Sequence, residues 1–295
     1  MADIPFQIFA NIILSATLLL MVAVSFSLLY SVTKFFNIVL AVTISFGAYF
    51  TYLLFISFNQ PLFVALPLAI ILTISISLLS ELLVFKPMRK RNLPSFAILV
   101  ASIGLYSVLQ NCISLYFGDD TKTIKTGSIE VGHQIFGAYI TTIQIITSVV
   151  SLLLFIGMYL LYNYSNLGKK IRAVSENTEL SSIYGISSNK VILICVGISS
   201  ALSAIVGILS AMDTNLTPTM GFNLLLYGIV AMIIGGVGSF RGLLMGSLLV
   251  AVAQNLVAFY LDTKWMDAVA YIILITFLLW KPLGFSGKRL KKIEI

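Results

Sequence analysis

Nine apolar stretches, each long enough or nearly long enough to cross a lipid bilayer, follow one another along this chain with almost nothing polar between them. They cover residues 8–33, 35–58, 61–85, 95–117, 139–162, 190–212, 221–240, 243–261 and 265–280. A helix needs about 20 mainly apolar residues to cross the hydrocarbon core. No stretch carries a charged side chain near its middle; Glu81 and Asp213 stand at ends. Of the 295 residues, 59% are hydrophobic and 10% charged, against about 25% charged in soluble domains. There is too little polar side chain to cover such a chain in water. Lipid is therefore its solvent. Because backbone polar groups must be satisfied internally in lipid, and no period-2 alternation suggests a barrel, the spans are helices. The expected fold is all-α, a polytopic transmembrane helical bundle of about nine spans, with eight to ten allowed, in a single domain over residues 1–295. The first apolar run is too long for a signal peptide and lacks a basic leader, so it is expected to be retained.

Lysine and arginine in short loops orient such a bundle. Lys86, Arg89, Lys90 and Arg91 form one cluster, Lys169, Lys170 and Arg172 a second, and Lys281, Lys288, Arg289, Lys291 and Lys292 a third. Two spans separate the first pair of clusters and four the second pair, so all three fall on one side, the cytoplasmic one. The opposite loops hold Asp119, Asp120, Glu130, Asp213, Asp262 and Asp267, against Lys122, Lys125 and Lys264. The net charge of +7 is thus a topology signal and calls for no nucleic acid.

Chemistry-bearing groups are sparse. Cys112 and Cys195 lie within apolar runs, and the single histidine, His133, sits in a loop, so neither a disulfide framework nor a metal site is expected. Proton-coupled transporters keep ionisable groups at membrane depth, and none is placed there. No GxxxxGK[ST] nucleotide loop occurs. No cofactor and no catalytic residue is expected, and if the chain serves active transport its energy must come from another polypeptide.

The segment 163–190 is the longest basic-side loop. Ser175 is expected to cap a short helix, with Glu176 and Glu179 near its positive end and Gly185 as its stop. Leu180, Ile183 and Tyr184 fall at i, i+3 and i+4, giving that helix one apolar face. The stretch Glu179-Leu180-Ser181-x-x-x-Gly185 resembles the E-A-A-x-x-x-G loop of bacterial ABC importer permeases. The resemblance implies a docking knob for an ATPase; a connector packed on its own bundle is the plainer alternative.

Further segments extend the likeness. Phe85-Lys86-Pro87-Met88-Arg89, Leu109-Gln110-Asn111, Leu167-Gly168-Lys169-Lys170, Thr217-Pro218-Thr219-Met220-Gly221-Phe222, Gly235-Gly236-Val237-Gly238-Ser239, Trp265-Met266-Asp267 and Lys281-Pro282-Leu283-Gly284 occur in order between about residues 82 and 287. Together they closely resemble the LivH-type permease subunit of branched-chain amino acid ABC transporters, in the LivH/LivM permease superfamily. At the N-terminal side, Asn37-Ile38-Val39-Leu40-Ala41-Val42 stands where the family shows an Asn-Phe-Ala-His-Gly type stretch, which removes a polar patch. The resemblance implies a second related permease subunit, two cytoplasmic ATPase subunits, an external solute-binding protein, and a place in the cell inner membrane with the basic tail 281–295 in the cytoplasm. Its implied cargo is a branched-chain or related hydrophobic amino acid. Urea or a short-chain amide in the same machine, a passive channel or uniporter without an ATPase, and a non-transport scaffold stay open.

Two glycine readings complete the picture. Ser199, Ser203 and Gly207, and Gly238, Gly242 and Gly246, recur every four residues, the spacing that lets helices approach closely in lipid. Gly235 and Gly236, with Gly238 and Ser239, are expected to interrupt a helix beside the translocation path, where free backbone lines a cavity. Pro218 and Gly221 are expected to bend the external approach in the same way.

Overall fold

The computed structural model describes residues 3–124, 132–135, 137–281 and 284–285. The helices are α1 (Asp3–Thr33), α2 (Val39–Tyr52), α3 (Leu62–Ser80), α4 (Lys86–Lys90), α5 (Ser95–Phe117), α6 (Thr142–Tyr164), α7 (Asn166–Glu176), α8 (Thr178–Ile183), α9 (Ser188–Asp213), α10 (Met220–Gly235), α11 (Phe240–Tyr260) and α12 (Met266–Trp280). Single π-helical stretches, Leu53–Ser57 and Glu81–Phe85, extend α2 and α3. Among the described residues eight helical stretches are long and apolar enough to cross a membrane, and a further apolar helix, α10, has 16 residues. The chain is an all-α, multi-pass membrane protein.

The chain divides into two compact units. One is made of 25–126 and 161–225. Its centre is α2, twelve of whose fourteen residues are buried, packed against α9, α3 and α5. Small residues make this possible. A Cβ on Gly207 would overlap the carbonyl oxygen of Ile44, and one on Gly221 that of Ala41, while Gly47 lies against the backbone of Ala204. Hydroxyls then close the seams: Ser25 Oγ donates to Ser199 O at 2.8 Å, Ser199 Oγ donates to Ser25 O at 2.9 Å, and the hydroxyls of Ser25 and Ser203 lie 2.8 Å apart.

The second unit is made of 1–24, 127–160 and 226–295. Here α10 and α11 press together at Gly235 against Gly242 and at Gly246 against Ala231, and α11 turns back into α12 through a short 3-10 turn, Thr263–Trp265. A two-stranded hairpin, β1 (His133–Ile135) and β2 (Ala138–Ile140), pairs in antiparallel register with His133 opposite Ile140. The Gln7 side chain brackets its outer strand, accepting from Tyr139 N at 2.7 Å and donating to Tyr139 O at 3.2 Å.

Three expected boundaries shift for local reasons. The second span starts at Val39, not 35, because Lys34 takes a positive φ of 59° and the Asn37 side chain accepts from Val39 N. The fifth starts at Thr142, because 138–140 are claimed by the hairpin. The seventh ends at Gly235, since Gly236 and Gly238 have φ of 92° and 76°. Glu81, expected at a span end, is 1% exposed within the continuous stretch Leu62–Lys90 and is paired with Arg89.

Candidate functional site

The segment between α6 and α9 folds into two short helices rather than one. Ser165, not Ser175, caps the first, accepting from Gly168 N at 2.9 Å. Ser175 lies in its last turn, where its hydroxyl donates to Arg172 O at 3.0 Å. Glu176 therefore falls at the negative end of α7, the opposite of the expected placement. Asn177 caps α8, its Oδ1 accepting from Leu180 N at 2.9 Å. An amide side chain with extended backbone is as good a cap as serine, so Ser175 and Asn177 read alike in the sequence and the break between the helices leaves no mark there. Glu179 stands in the first turn of α8. Gly185 has φ of 78°, and Gly185 N and Ile186 N donate to Ser182 O and Ser181 O, closing the helix end.

What this arrangement holds out is apolar. Leu180, Ile183 and Tyr184 are 50%, 80% and 78% exposed, while Ser181 is buried and donates to Asn177 O at 2.7 Å. The base is fixed: Ile171 and Val174 of α7 are fully buried, Gly168 sits against the Tyr162 carbonyl, and the Arg172 guanidinium donates to that same oxygen. Beside this anchored α7, α8 and its end present three large apolar side chains to their surroundings.

A second surface lies on α5. At 100° per residue, Gly104, Ser107 and Asn111 fall within about 60° of arc, and all three are exposed. Nothing lies within 4 Å of a Cβ built on Gly104. Asn111 Nδ2 donates to Ser107 O at 2.7 Å, and the half-buried Gln110 donates to Ser114 Oγ at 3.2 Å. Ile103, Val108 and Leu115, 46%, 60% and 86% exposed, flank the line on both sides. So the centre of the outward face of a 23-residue apolar helix is polar and small. Hydrocarbon cannot hydrogen-bond an amide, and polar groups at such depth face protein or water. Sequence reasoning passed over this line, taking Gln110 and Asn111 only as part of a likeness. The i, i+3, i+7 spacing of Gly104, Ser107 and Asn111 in a charge-free span is the signal that reveals it.

The glycine-rich break reads differently once placed. Gly235 and Gly236 are buried; the carbonyl of Ile234 accepts from Phe285 N at 2.9 Å, and Gly284 packs on the backbone of Ile234 and Gly236. Ser239 caps α11 through Gly242 N at 3.2 Å, and only Gly238 of this group is exposed. Pro218 and Gly221 are buried too, tied to α2 by Ser45, whose hydroxyl donates to Pro218 O and accepts from Gly221 N. The free backbone expected to line a cavity is occupied by the chain itself. The tail beyond 285, like the loop around Lys125, lies outside the described residues. No group of three or more potential metal ligands occurs among the described residues.

Residues 8–278 match the family model described as branched-chain amino acid transport system / permease component. The chain is 31% identical over 213 residues to the high-affinity branched-chain amino acid transport system permease protein LivH of Escherichia coli K12, spanning 70% of this chain and 68% of that one. It is 28% identical over 297 residues to the LivH protein of Salmonella typhimurium, spanning 96% and 95%. Among solved structures, PsaBC from Streptococcus pneumoniae in complex with Fab superposes with a TM-score of 0.52 at 12% identity, covering 96% of this chain and 94% of that one, a likeness of fold alone. With nearly its whole length inside the family match, the chain belongs to the branched-chain amino acid transport permease family.

Proposed function

We propose that this chain is a permease subunit of an ATP-binding-cassette importer that carries branched-chain amino acids across the cytoplasmic membrane. It works beside a second, related permease, above two ATPase subunits that dock on α8, and receives solute from an external binding protein. The segments 86–93 and 163–189 and the basic tail are cytoplasmic in this reading. Support for the cargo comes from the names of the relatives, all branched-chain permeases in the two cases compared. Support for an energy source outside the chain comes from its lack of a nucleotide loop.

The observation that carries the reading is the polar line on α5. An uncharged amide and hydroxyl lining suits a solute that is itself net neutral, such as a zwitterionic amino acid; the Ser107 hydroxyl and the Asn111 amide nitrogen each donate to a carbonyl of α5 itself, at 3.0 and 2.7 Å, which leaves their oxygens to face the solute. The solute path therefore runs along Gly104, Ser107 and Asn111, on the face that the partner permease completes.

Accessibility tests this directly. In a Cys112→Ser, Cys195→Ala background of the assembled importer, single cysteines at Gly104, Ser107 and Asn111 are expected to react with a membrane-impermeant thiosulfonate. Leucine with binding protein and ATP is expected to slow that reaction. A cysteine at Leu153, on the exposed flank of α6, should stay unreactive. Equal inertness at all four positions would refute the assignment.

A further inference from the structure

On the flank of the second unit, α6 and α11 meet at one end and leave a trough between them. Phe155 and Tyr159 of α6 hold Phe240 of α11 at ring-centroid distances of 5.8 and 5.7 Å. Beside this contact opens a space of about 500 Å³, walled by Phe155, Ile156, Tyr159, Leu244 and Met245, with Arg241 at its end. Leu244, Met245 and Leu248, 40%, 51% and 40% exposed, continue the same outward face of α11 below Arg241, at i+3, i+4 and i+7.

Arg241 is the second residue of a 21-residue membrane-spanning helix, so it stands where hydrocarbon gives way to headgroups. It is exposed, and it makes no hydrogen bond or ion pair among the described residues. Among the described residues no carboxylate lines the trough. We infer that this trough is a binding site for an anionic phospholipid, its acyl chain laid between α6 and α11 and its phosphate held by the Arg241 guanidinium.

Charge and shape both select that occupant. A guanidinium meets a phosphate through two parallel N–H donors, a geometry that lysine lacks. The trough is apolar along its length and cationic only at the interface end, which matches a lipid and not a soluble phosphate. A zwitterionic lipid brings an ammonium group as well, and no acidic side chain among the described lining residues receives it. Net negative headgroups are therefore preferred.

Native mass spectrometry of the purified chain, exchanged into mixtures of phosphatidylglycerol and phosphatidylcholine, tests the inference. One phosphatidylglycerol should be retained in preference by about fivefold, the effect of one interfacial cation on an anionic lipid. Arg241→Gln should bring that preference close to parity, Arg241→Lys should keep part of it, and Met245→Trp should expel both lipids by filling the trough. Arg241 is exposed, so its variants are expected to fold and any loss reads on the site. Equal retention of the two lipids by the parent chain, or an undiminished preference in Arg241→Gln, would overturn the proposal. So would disulfide formation between Met245→Cys copies in lipid, which would show that a second permease covers the face.

Discussion

Gly207 and Gly104 are both glycines in membrane-spanning helices, yet they stand in opposite circumstances. At Gly207 a methyl group would enter the Ile44 carbonyl, and backbone cannot step aside as a side chain can; at Gly104 there is open space. Gly207→Ala is therefore expected to cost about 1–3 kcal/mol or more by overpacking, seen as a lowered thermal midpoint in detergent. Gly104→Ala should leave that midpoint unchanged while altering transport. Matching midpoints for the two variants would show that the α2–α9 seam yields more readily than its geometry allows. The Glu81–Arg89 pair invites a second measurement. Glu81 is 1% exposed and its partner 19%, so removing the arginine strands a buried carboxylate, an effect of about 3–5 kcal/mol. Arg89→Met alone should depress the midpoint strongly, and Glu81→Gln combined with Arg89→Met should recover most of the loss. If the double variant is no better than the single one, the pair does not act as a unit.

Among the elements, α8 is where sequence and structure are most instructively at odds. The apolar i, i+3, i+4 triple and the terminating Gly185 are legible because helix periodicity and a positive φ leave direct marks in residue type. The cap is not, because serine and asparagine fit the role equally well and the loop offers many of both, Ser165, Ser175 and Asn177 among them. Burial of Ser181 is equally hidden, since a serine inside and a serine outside read alike. The same ambiguity explains the glycines of the α10–α11 turn. A glycine marks a place where backbone is bare, but whether solute or another stretch of the chain fills the space depends on residues 284–285, some 50 positions away. The span count was legible because lipid imposes one length on every crossing helix. For α8 as the ATPase dock, Leu180→Asp or Ile183→Asp would bury an unpaired charge on docking, at a cost of several kcal/mol. Each is expected to preserve expression and membrane insertion while abolishing ATPase co-purification and uptake. Asn189→Asp, an exposed position at the start of α9, is the control that should retain both. Full co-purification with Leu180→Asp would make α8 a mere connector.

At the level of the whole molecule, the basic clusters and the lengths of the helices between them make one claim about sidedness. α5 and α6, both of full crossing length, separate Lys86–Arg91 from Lys169–Arg172, so the two clusters share a side. In intact cells, a single cysteine at Asp120 should be labelled by an impermeant maleimide and one at Lys170 should not; labelling at Lys170 would invert the topology. The burial of α2 also bears on how the chain is made. Gly47 and the Ala204 backbone against which it rests are roughly 160 residues apart, so at about 5–20 residues per second the α9 partner is synthesised roughly 8–30 s after α2. Throughout that interval Ile44 and Gly47 lack the close cover that Gly207 and Ala204 of α9 give them, and the first helices are a provisional insert. A ribosome that stalls or terminates before α9 leaves a product whose central helix has lost its principal cover, whatever the soundness of the spans already inserted.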